Sequence, residues 1–508
     1  MSGLPAHPSV ARVASVLAAA GARARAEGRP VLASVVERIQ GCDPLVALDA
    51  AAHAADSDQA LARHLASGRF YWTRERDDVA LVGIGAVATF APEGADRMAM
   101  VDRAWSALLE GAFVDDPTQD GAHGATGRGP LLMGGFSFAP EGPHSETWRG
   151  FPGSHLIVPR FQLASVRGEC WLTISAIVAS DGESDASPEE LVRLCRSIVA
   201  SSAAELDAPW SDARGPGLTF SSPMRAAQWR GLVEAATAAI RGGQLHKVVL
   251  AREVHGRAPR DLDVIAVLRQ LRAAQPDCFV FGYWRGDRVF VGASPERLVR
   301  LDGRMIQASS LAGSAARGAS VHEDDALAAA LLTSEKDRTE HGAVRDALRS
   351  GLADLCDDVV APETPSLLTL RHVHHLHTPV SAVLRRGHSL LDVVARLHPT
   401  PAVGGTPRVA ALEFIRRHEQ LDRGWYAAPI GWVDRESGEF AVALRSAVIA
   451  GPDATLFAGC GIVAASDPDR EFAESLVKLR PMQAALAAAV APTPADSTPV
   501  AAAAERDR

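Results

Sequence analysis

Long hydrophobic runs are missing from this sequence of 508 residues. No stretch of 18 consecutive apolar residues occurs in it, so the sequence predicts no membrane-spanning helix. Positive charge is scarce as well, because 52 Lys and Arg residues stand against 61 Asp and Glu residues, a net charge of −9. A nucleic-acid partner usually requires a basic face, so this balance argues against one. An anionic ligand would have to meet a local concentration of positive charge.

Cysteine is sparse and scattered. No Cys-x-x-Cys spacing occurs among the six cysteines, which are Cys42, Cys170, Cys195, Cys278, Cys356 and Cys460. In a chain of this length the pattern predicts reduced, buried thiols rather than a disulfide framework or a zinc site. Asp and Glu are absent from residues 1–26, where several arginines occur, a composition that resembles a transit peptide. We favour the alternative of an alanine-rich amphipathic helix, and we expect a cytoplasmic protein.

The composition, 47% hydrophobic and 22% charged residues, is that of a globular protein. Helix-like spacing predicts a helical leader over residues 1–65, and strand-like runs begin near Gly68. A Pro/Gly-rich connection separates a variable N-terminal region, residues 1–215, from a region that carries the chemical motifs, residues 216–490. Residues 491–508 are rich in Ala, Pro, Ser and Thr and are predicted to be disordered. Helices and strands are too interleaved for a βαβ series, so the predicted fold class is α+β.

Several local signals mark the second region. Residues 245–254 are strand-like, and the Asp302-Gly303 pair predicts a type I′ turn in a hairpin over 299–306. A second helix is predicted over 468–489. One long helix is predicted over 324–355, with a buried stripe of Leu327, Leu331, Val344, Leu348 and Leu352.

Each of these two predicted helices carries acidic residues on one face. Asp337 and Glu340 lie at i and i+3, and Glu471, Glu474 and Lys478 lie at i, i+3 and i+7. Apolar residues occupy the neighbouring stripe of the second helix, which places its acids beside a buried surface. Magnesium prefers carboxylate oxygens, so the spacing is compatible with a metal site. A pair of solvated helix faces is the commoner explanation of such spacing.

Lys247 is an unusual residue within a strand-like run. It shares a strand face with Leu245, Val249 and Ala251. A lysine that faces a buried site loses solvation, which favours a neutral amine that can accept a proton. An edge-strand lysine that discourages aggregation is the alternative interpretation.

Other polar segments admit more than one interpretation. Glu296 follows a predicted strand and either caps a helix or pairs with a base; the sequence alone favours capping. Gly-containing loops at 310–314 and 458–462 could expose N–H groups to an anion, although neither matches a P-loop or a dinucleotide fingerprint. Four histidines occur within residues 371–377. In a strand they point alternately to opposite faces, so we favour a hydrogen-bonding role for one of them over a zinc site.

Taken together, these segments resemble the chorismate-utilising enzymes, which include isochorismate, salicylate, anthranilate and aminodeoxychorismate synthases. The resemblance runs from about Ser221 to Leu486, and residues 134–138 are the best match in the N-terminal region. Eight segments match in the order of the family: 247–252, 292–296, 311–314, 336–341, 398–405, 442–446, 459–463 and 471–478.

The resemblance implies a single large α+β domain of two stacked antiparallel β-sheets, with helices outside and the site between the sheets. It implies Lys247 as the base that activates water and Glu296 as the acid. It also implies Mg²⁺, with Glu340 and Glu474 as direct ligands and with Asp337 and Glu471 mostly behind water. Substrate contacts are implied for Gly313, Ser314, His375, Ala402, Arg445, Gly459, Gly461 and Lys478.

Two positions indicate the reaction within the family. Enzymes that add water resemble this chain at Lys247, and isochorismate synthases resemble it at Ala402, where salicylate synthases carry threonine. The predicted function is Mg²⁺-dependent isomerisation of chorismate to isochorismate, for menaquinone or for siderophore or salicylate biosynthesis. We expect a monomer without a glutaminase subunit. A salicylate synthase, an aminating chorismate enzyme and an inactive chorismate-binding regulator are the alternatives.

Overall fold

The computed structural model describes residues 7–117, 127–199, 217–369 and 373–490. Within these ranges the chain forms twelve α-helices and 21 β-strands. The helices are α1 (Val10–Glu27), α2 (Pro44–Ala54), α3 (Gln59–Ser67), α4 (Arg97–Glu110), α5 (Pro188–Val199), α6 (Ala226–Arg241), α7 (Val264–Ala274), α8 (Val321–Thr333), α9 (Glu335–Ala353), α10 (Leu390–Leu397), α11 (Arg408–His418) and α12 (Pro468–Val490).

The strands cover both regions of the chain. They are β1 (Val31–Ile39), β2 (Arg69–Arg74), β3 (Val79–Phe90), β4 (Phe113–Asp115), β5 (Leu132–Phe136), β6 (Ser154–Val166), β7 (Glu169–Val178), β8 (Thr219–Ser221), β9 (Lys247–Arg257), β10 (Phe279–Arg285), β11 (Arg288–Ser294), β12 (Arg297–Asp302), β13 (Met305–Ala316), β14 (Cys356–Val360), β15 (Ser366–Thr369), β16 (Val373–Leu384), β17 (Gly405–Thr406), β18 (Pro429–Val433), β19 (Ser437–Val442), β20 (Ser446–Ala450) and β21 (Asp453–Ile462).

The strands form one hydrogen-bonded network in which β1 and β4 are the one parallel pair among the described residues. β2 pairs with β10 and β5 pairs with β18, so strands from the two regions of the sequence are neighbours in the sheet. The predicted α+β fold with antiparallel pairing is confirmed, and the strands expected in two stacked sheets belong to one large, mostly antiparallel network. The predicted boundary at 215/216 and the tail 491–508 lie outside the described residues.

Side chains that alternate along the strands build two hydrophobic cores. Phe70 and Trp72 of β2 belong to the first core, which collects residues from strands of both regions. Tyr71 lies between them and belongs to the second core, to which α1, α2, α3, α5, α7 and α12 contribute. The first core receives residues of α4, α6, α9, α10 and α11, so helices pack in both cores. No helix of the described residues is long and apolar enough to cross a membrane.

The prediction of a wholly helical leader is wrong. α1 begins after Ser9, whose hydroxyl accepts a hydrogen bond from the Arg12 N–H, and its buried face includes Val13 and Val16. β1 then occupies Val31–Ile39, inside the segment predicted to be helical. Most of β1 is buried on both faces, so its sequence lacks the alternation that reveals a half-exposed strand.

Two further local predictions need correction. The β12–β13 hairpin forms, but Asp302 pairs with Met305, and only Gly303 of the two loop residues has a positive φ. A type I′ turn requires two such residues. The helix predicted over 324–355 is two helices, because Ser334 ends α8 and caps α9 by accepting the Asp337 N–H at 3.2 Å.

Candidate active site

A cavity of about 290 Å³ lies among β9, β21, α9 and α12. Its lining brings together residues that are up to 231 positions apart in the sequence. Every site residue predicted from the sequence lines it: Lys247, Glu296, Gly313, Ser314, Asp337, Glu340, His375, Ala402, Arg445, Gly459, Gly461, Glu471, Glu474 and Lys478.

Lys247 is the first residue of β9, and its side chain is largely buried at the cavity wall. Its Nζ donates to Glu340 Oε1 of α9 at 2.6 Å. Gly461 of β21 stands beside it, and a Cβ atom at position 461 would lie 2.8 Å from Lys247 Cε. The side chain of Lys247 thus occupies space that the glycine leaves open. The edge-strand interpretation of Lys247 does not hold, because β9 is paired with β21 on one side and β17 on the other.

Glu296 lies in the two-residue connection between β11 and β12. No helix follows it, so the helix-capping interpretation is wrong. Burial raises the pKa of the Glu296 carboxyl to about 7, while the nearby Lys247 and Lys478 act in the opposite direction. A carboxyl group with that pKa still holds its proton in a large share of molecules at neutral pH, which a general acid needs.

A bulge in β13 shapes a third part of the wall. The pairing of β13 with β16 shifts between Leu311 and Ser314, and Gly313 within the bulge has a φ of +77°. Ser314 then pairs with His375, and its hydroxyl is hydrogen-bonded to His375 Nδ1 at 2.8 Å. Burial lowers the pKa of His375 to about 4, helped by Arg445 and Lys478, so the ring is neutral at pH 7. Sequence reasoning expected one histidine of this run to act through hydrogen bonds, and His375 is placed to do so.

Two cations face the cavity from different directions. Arg445 lies between β19 and β20 with a φ of +50°, a left-handed backbone conformation that costs a non-glycine residue about 1–3 kcal/mol. No ion pair among the described residues engages Arg445. Lys478 of α12 donates to the Gly459 carbonyl at 2.9 Å and pairs with Glu474 Oε1 at 2.8 Å. Burial disfavours its charge, but Cys460 and Glu474 outweigh burial and raise the pKa of Lys478.

The glycines of β21 open an edge beside Lys478. Val249 and Ala251, which lie opposite Gly461 and Gly459, direct their N–H groups to Gly404 and Glu419, away from β21. In an antiparallel pair this places Gly459 and Gly461 at positions whose N–H groups also point away from β9. β20 pairs with β21 only as far as Leu456, so it does not cover these positions. The predicted anion contacts near both glycines stay a prediction.

Four carboxylates from two helices face the same cavity. Ligand atoms of Glu471, Glu474 and Cys460 lie within 4.8 Å of one another, and Glu340 projects from α9 into the same cavity. Asp337 is also bonded to the Ser334 hydroxyl, so it has a helix-capping role in addition. Oxygen donors in this number are the chemistry that a hard divalent cation requires, so the donor set fits Mg²⁺.

The family of chorismate binding enzymes matches residues 17–487 of this chain. The chain belongs to this family. It is 37% identical to the salicylate biosynthesis isochorismate synthase of Pseudomonas aeruginosa, over 92% of each protein. It is 34% identical to the isochorismate synthase MenF of Bacillus subtilis, over 91% of this chain and 95% of that one. The solved structure of the menaquinone-specific isochorismate synthase MenF from Escherichia coli matches with a TM-score of 0.68 and 25% identity, over 93% of this chain and 99% of that chain.

The sequence analysis did not identify one buried ion pair of this chorismate binding enzyme, between Glu419 and Arg423. The side chains of Glu419 and Arg423 are almost fully buried and paired, with Arg423 Nε 2.6 Å from Glu419 Oε1. Glu419 accepts the Ala251 N–H at 2.7 Å, and Arg423 donates to the carbonyls of Val249 and Val403 at 2.7 and 3.0 Å. Charged residues just before the apolar run 425–433 were the available signal. The pair connects the strand of Lys247 to the loop of Ala402.

Proposed function

We propose that this chain is an isochorismate synthase, which adds water at C2 of chorismate and expels the C4 hydroxyl. The observation that carries this proposal is that the amine of Lys247 and the carboxyl group of Glu296 line one cavity. The pKa of the Glu296 carboxyl is raised to about 7. Two relatives that match most of the chain bear the name isochorismate synthase, which supports the same reaction here.

The proton transfers run between water, the ring and these two side chains. Lys247 Nζ takes one proton from a water molecule while the water oxygen bonds to C2. The ring double bond shifts, the C4–O bond breaks, and Glu296 gives its proton to the departing hydroxyl, which leaves as water. One water enters and one leaves, so the reaction is an isomerisation. Each proton transfer contributes about 10²- to 10⁴-fold to the rate.

The substrate carries two carboxylates, and the cavity offers separate groups for them. Arg445 and Lys478, with the N–H groups near Gly459 and Gly461, would hold the enolpyruvyl carboxylate. Glu340 and Glu474, with Asp337 and Glu471, would hold Mg²⁺, which would orient the ring carboxylate. Ser314 and His375 would add neutral hydrogen bonds. An acidic protein thereby gains local positive charge for a dianion.

The first test replaces the proposed base. Lys247→Ala should lower isochorismate formation by at least about 10²-fold. Arg257→Ala is a matched control, since Arg257 lies at the other, exposed end of β9 and pairs with Asp453 at the surface. Circular dichroism of both variants checks that the fold is kept. Isochorismate formation near the parental rate by Lys247→Ala would remove Lys247 from the mechanism.

A second measurement separates isochorismate synthase from the alternatives. Incubation with chorismate and Mg²⁺, followed by chromatography, should give isochorismate without salicylate or pyruvate. Ala402 lines the cavity at the position where salicylate synthases resemble one another in carrying threonine. Accumulation of salicylate and pyruvate would instead identify a salicylate synthase, and a product that requires ammonia would identify an aminating enzyme. If chorismate is not consumed, the result would favour an inactive chorismate-binding regulator.

The proposal also covers the location, the oligomeric state and the pathway of the enzyme. We expect a cytoplasmic monomer that works without a glutaminase subunit and supplies menaquinone or siderophore synthesis. Size-exclusion chromatography with light scattering checks the mass against 53.5 kDa. Activity of the purified chain alone checks that no second subunit is needed.

A further inference from the structure

Two cysteines that are 128 positions apart in the sequence, Cys42 and Cys170, are in contact near the start of β7. Cys170 lies near the start of β7, opposite Ile39, the last residue of β1. The chain then turns back between β1 and α2, and this turn carries Cys42 against Cys170. Neither residue lines the active-site cavity. Cys170 Sγ lies 3.0 Å from the Cys42 backbone nitrogen and 3.6 Å from the Cys42 carbonyl oxygen, so the two residues are in direct contact.

The surroundings of Cys170 favour its thiolate. The Cys42 N–H donates to Cys170 Sγ at 3.0 Å. The same sulfur lies 3.6 Å from the Cys42 carbonyl oxygen. The contact with Cys42 lowers the pKa of Cys170 to about 6, although burial opposes it. The contact with Cys170 and burial raise the pKa of Cys42.

The other four cysteines lack this arrangement. Cys195, Cys278, Cys356 and Cys460 are buried, and burial raises the pKa of each. Cys42 is the one cysteine of the described residues that is partly exposed, so a small oxidant can reach the pair from its side. The thiolate is the reactive form of cysteine, and a donor-rich, partly accessible position is where reactive cysteines occur.

We propose that Cys170 and Cys42 form a peroxide-reactive dithiol site, in which Cys170 is the attacking cysteine and Cys42 the resolving one. The Cys170 thiolate attacks one oxygen of hydrogen peroxide, the O–O bond breaks, and the released hydroxide takes up a proton to become water. The Cys42 sulfur then displaces the hydroxyl of the Cys170 sulfenic acid, which leaves as a second water. The two thiols lose two electrons and two protons, and the peroxide gains them. This site does not depend on the proposed isomerase activity.

Peroxide treatment of the full chain tests the proposal. The reduced protein is exposed to hydrogen peroxide, blocked with N-ethylmaleimide under denaturing conditions, and mapped by mass spectrometry of non-reduced peptides. We expect the peptides of Cys42 and Cys170 to be joined with loss of two hydrogen atoms, and dithiothreitol to separate them. The thiol count should fall by two from the six in the sequence. Preferential oxidation of another cysteine, or no oxidation of Cys170, would overturn the proposal.

Single variants separate the two roles. Cys42→Ser should prevent the cross-link and leave a sulfenic acid at Cys170 that dimedone traps. Cys170→Ser should prevent the cross-link and leave Cys42 at least about tenfold less reactive towards peroxide than Cys170 is in the parental chain, because the Cys42 N–H donates to the sulfur of Cys170 and not to that of Cys42. Cys195→Ser is the matched control, and the cross-link should form in it at the parental rate. Dimedone labelling of Cys42 instead of Cys170 would reverse the assigned roles and contradict the proposal.

Discussion

At the scale of single residues, the site depends on the small size of Gly461, which leaves room for the side chain of Lys247. A Cβ atom at position 461 would lie 2.8 Å from Lys247 Cε, closer than packed atoms allow, and 3.2 Å from Nζ, which is a tight contact. Gly461 has an ordinary strand backbone, so alanine is restricted there by contact with Lys247 and not by conformation. The glycine is a positioning residue for the proposed base.

Gly461→Ala should therefore reduce kcat by about 10²-fold while the protein stays folded, because small displacements of a reacting group are costly. Steady-state kinetics with chorismate measures the effect. Gly231→Ala in α6 is the matched control, since a Cβ there meets open space and alanine is the better helix former. Equal kinetics for the two variants would show that the space beside Lys247 is not used.

Glu296 predicts a pH dependence. Its carboxyl must be protonated to donate, and its pKa is raised to about 7, so kcat/KM should decline as pH increases above about 7. Glu296→Gln keeps the size of the side chain but removes the acidic proton, so it should lower kcat/KM by about 10²- to 10⁴-fold. The decline of kcat/KM above about pH 7 should be absent from this variant. A parental high-pH decline in the Gln variant would assign the titration to another group.

Sequence reasoning found the residues whose chemistry is unusual for their local pattern. Lys247 in an apolar strand and acids beside an apolar helix stripe were visible without a structure. The role of Gly461 was not, because it depends on which strand lies beside β9. The local pattern at Glu296 favoured a helix cap, since the sequence does not show that a second strand follows at once, and only the family resemblance indicated an acid there.

At the scale of elements, the middle of β9 is held on its second side by side chains, between the short strands β17 and β8. β17 pairs with β9 only at Lys247 and Val248, and Glu419 and Arg423 then bond the backbone at Ala251 and Val249. The two side chains therefore bond backbone groups of β9 that a neighbouring strand would otherwise pair. The almost complete burial of the pair means that neither charge can find water if the other is lost.

Arg423→Met should lower the free energy of unfolding by about 3–5 kcal/mol, because Glu419 is left charged and buried. The double variant with Glu419→Met should recover part of this loss but not all, since three backbone groups lose their partners. Urea denaturation measures both. Arg257→Ala, which breaks an exposed pair, should cost no more than about 1 kcal/mol. Similar losses for Arg423→Met and Arg257→Ala would contradict this account.

The local sequence predicted some elements and missed others. β2, β3, β9 and α12 agree with their periodicity. β1 was missed because both of its faces are buried, and the α8–α9 break was missed because a single Ser334 cap interrupts an otherwise continuous helical pattern. A cap residue within a helical run is ambiguous until packing shows that the chain turns.

At the scale of the whole molecule, the cavity gathers acids from α9 and α12, so a bound cation would tie distant parts of the chain together. Mg²⁺ should raise the melting temperature, and saturation at 100 times Kd would correspond to about 2.7 kcal/mol. Glu340→Gln and Glu474→Gln should weaken this shift in differential scanning calorimetry. Asp469→Asn on α12, whose partner Arg230 is at the surface, should leave it unchanged. An unchanged magnesium titration would remove Glu340 or Glu474 from the ligand set.

The overall architecture was predictable from the order of eight short segments, through the family resemblance, and not from periodicity. No local signal shows that β2 pairs with β10 or that β5 pairs with β18. Those pairings join residues that are roughly 200 to 300 positions apart, and only the complete fold specifies them.

The interleaving of β2 with β10 and of β5 with β18 has a consequence for synthesis on the ribosome. When the first 200 residues have emerged, β2 and β5 still lack the neighbours that the later sequence supplies. Exposed strand edges are templates for pairing with other chains, so the nascent protein passes through a stage that is open to aggregation. A gene truncated near the middle would encode a sheet with missing strands and not a smaller folded unit.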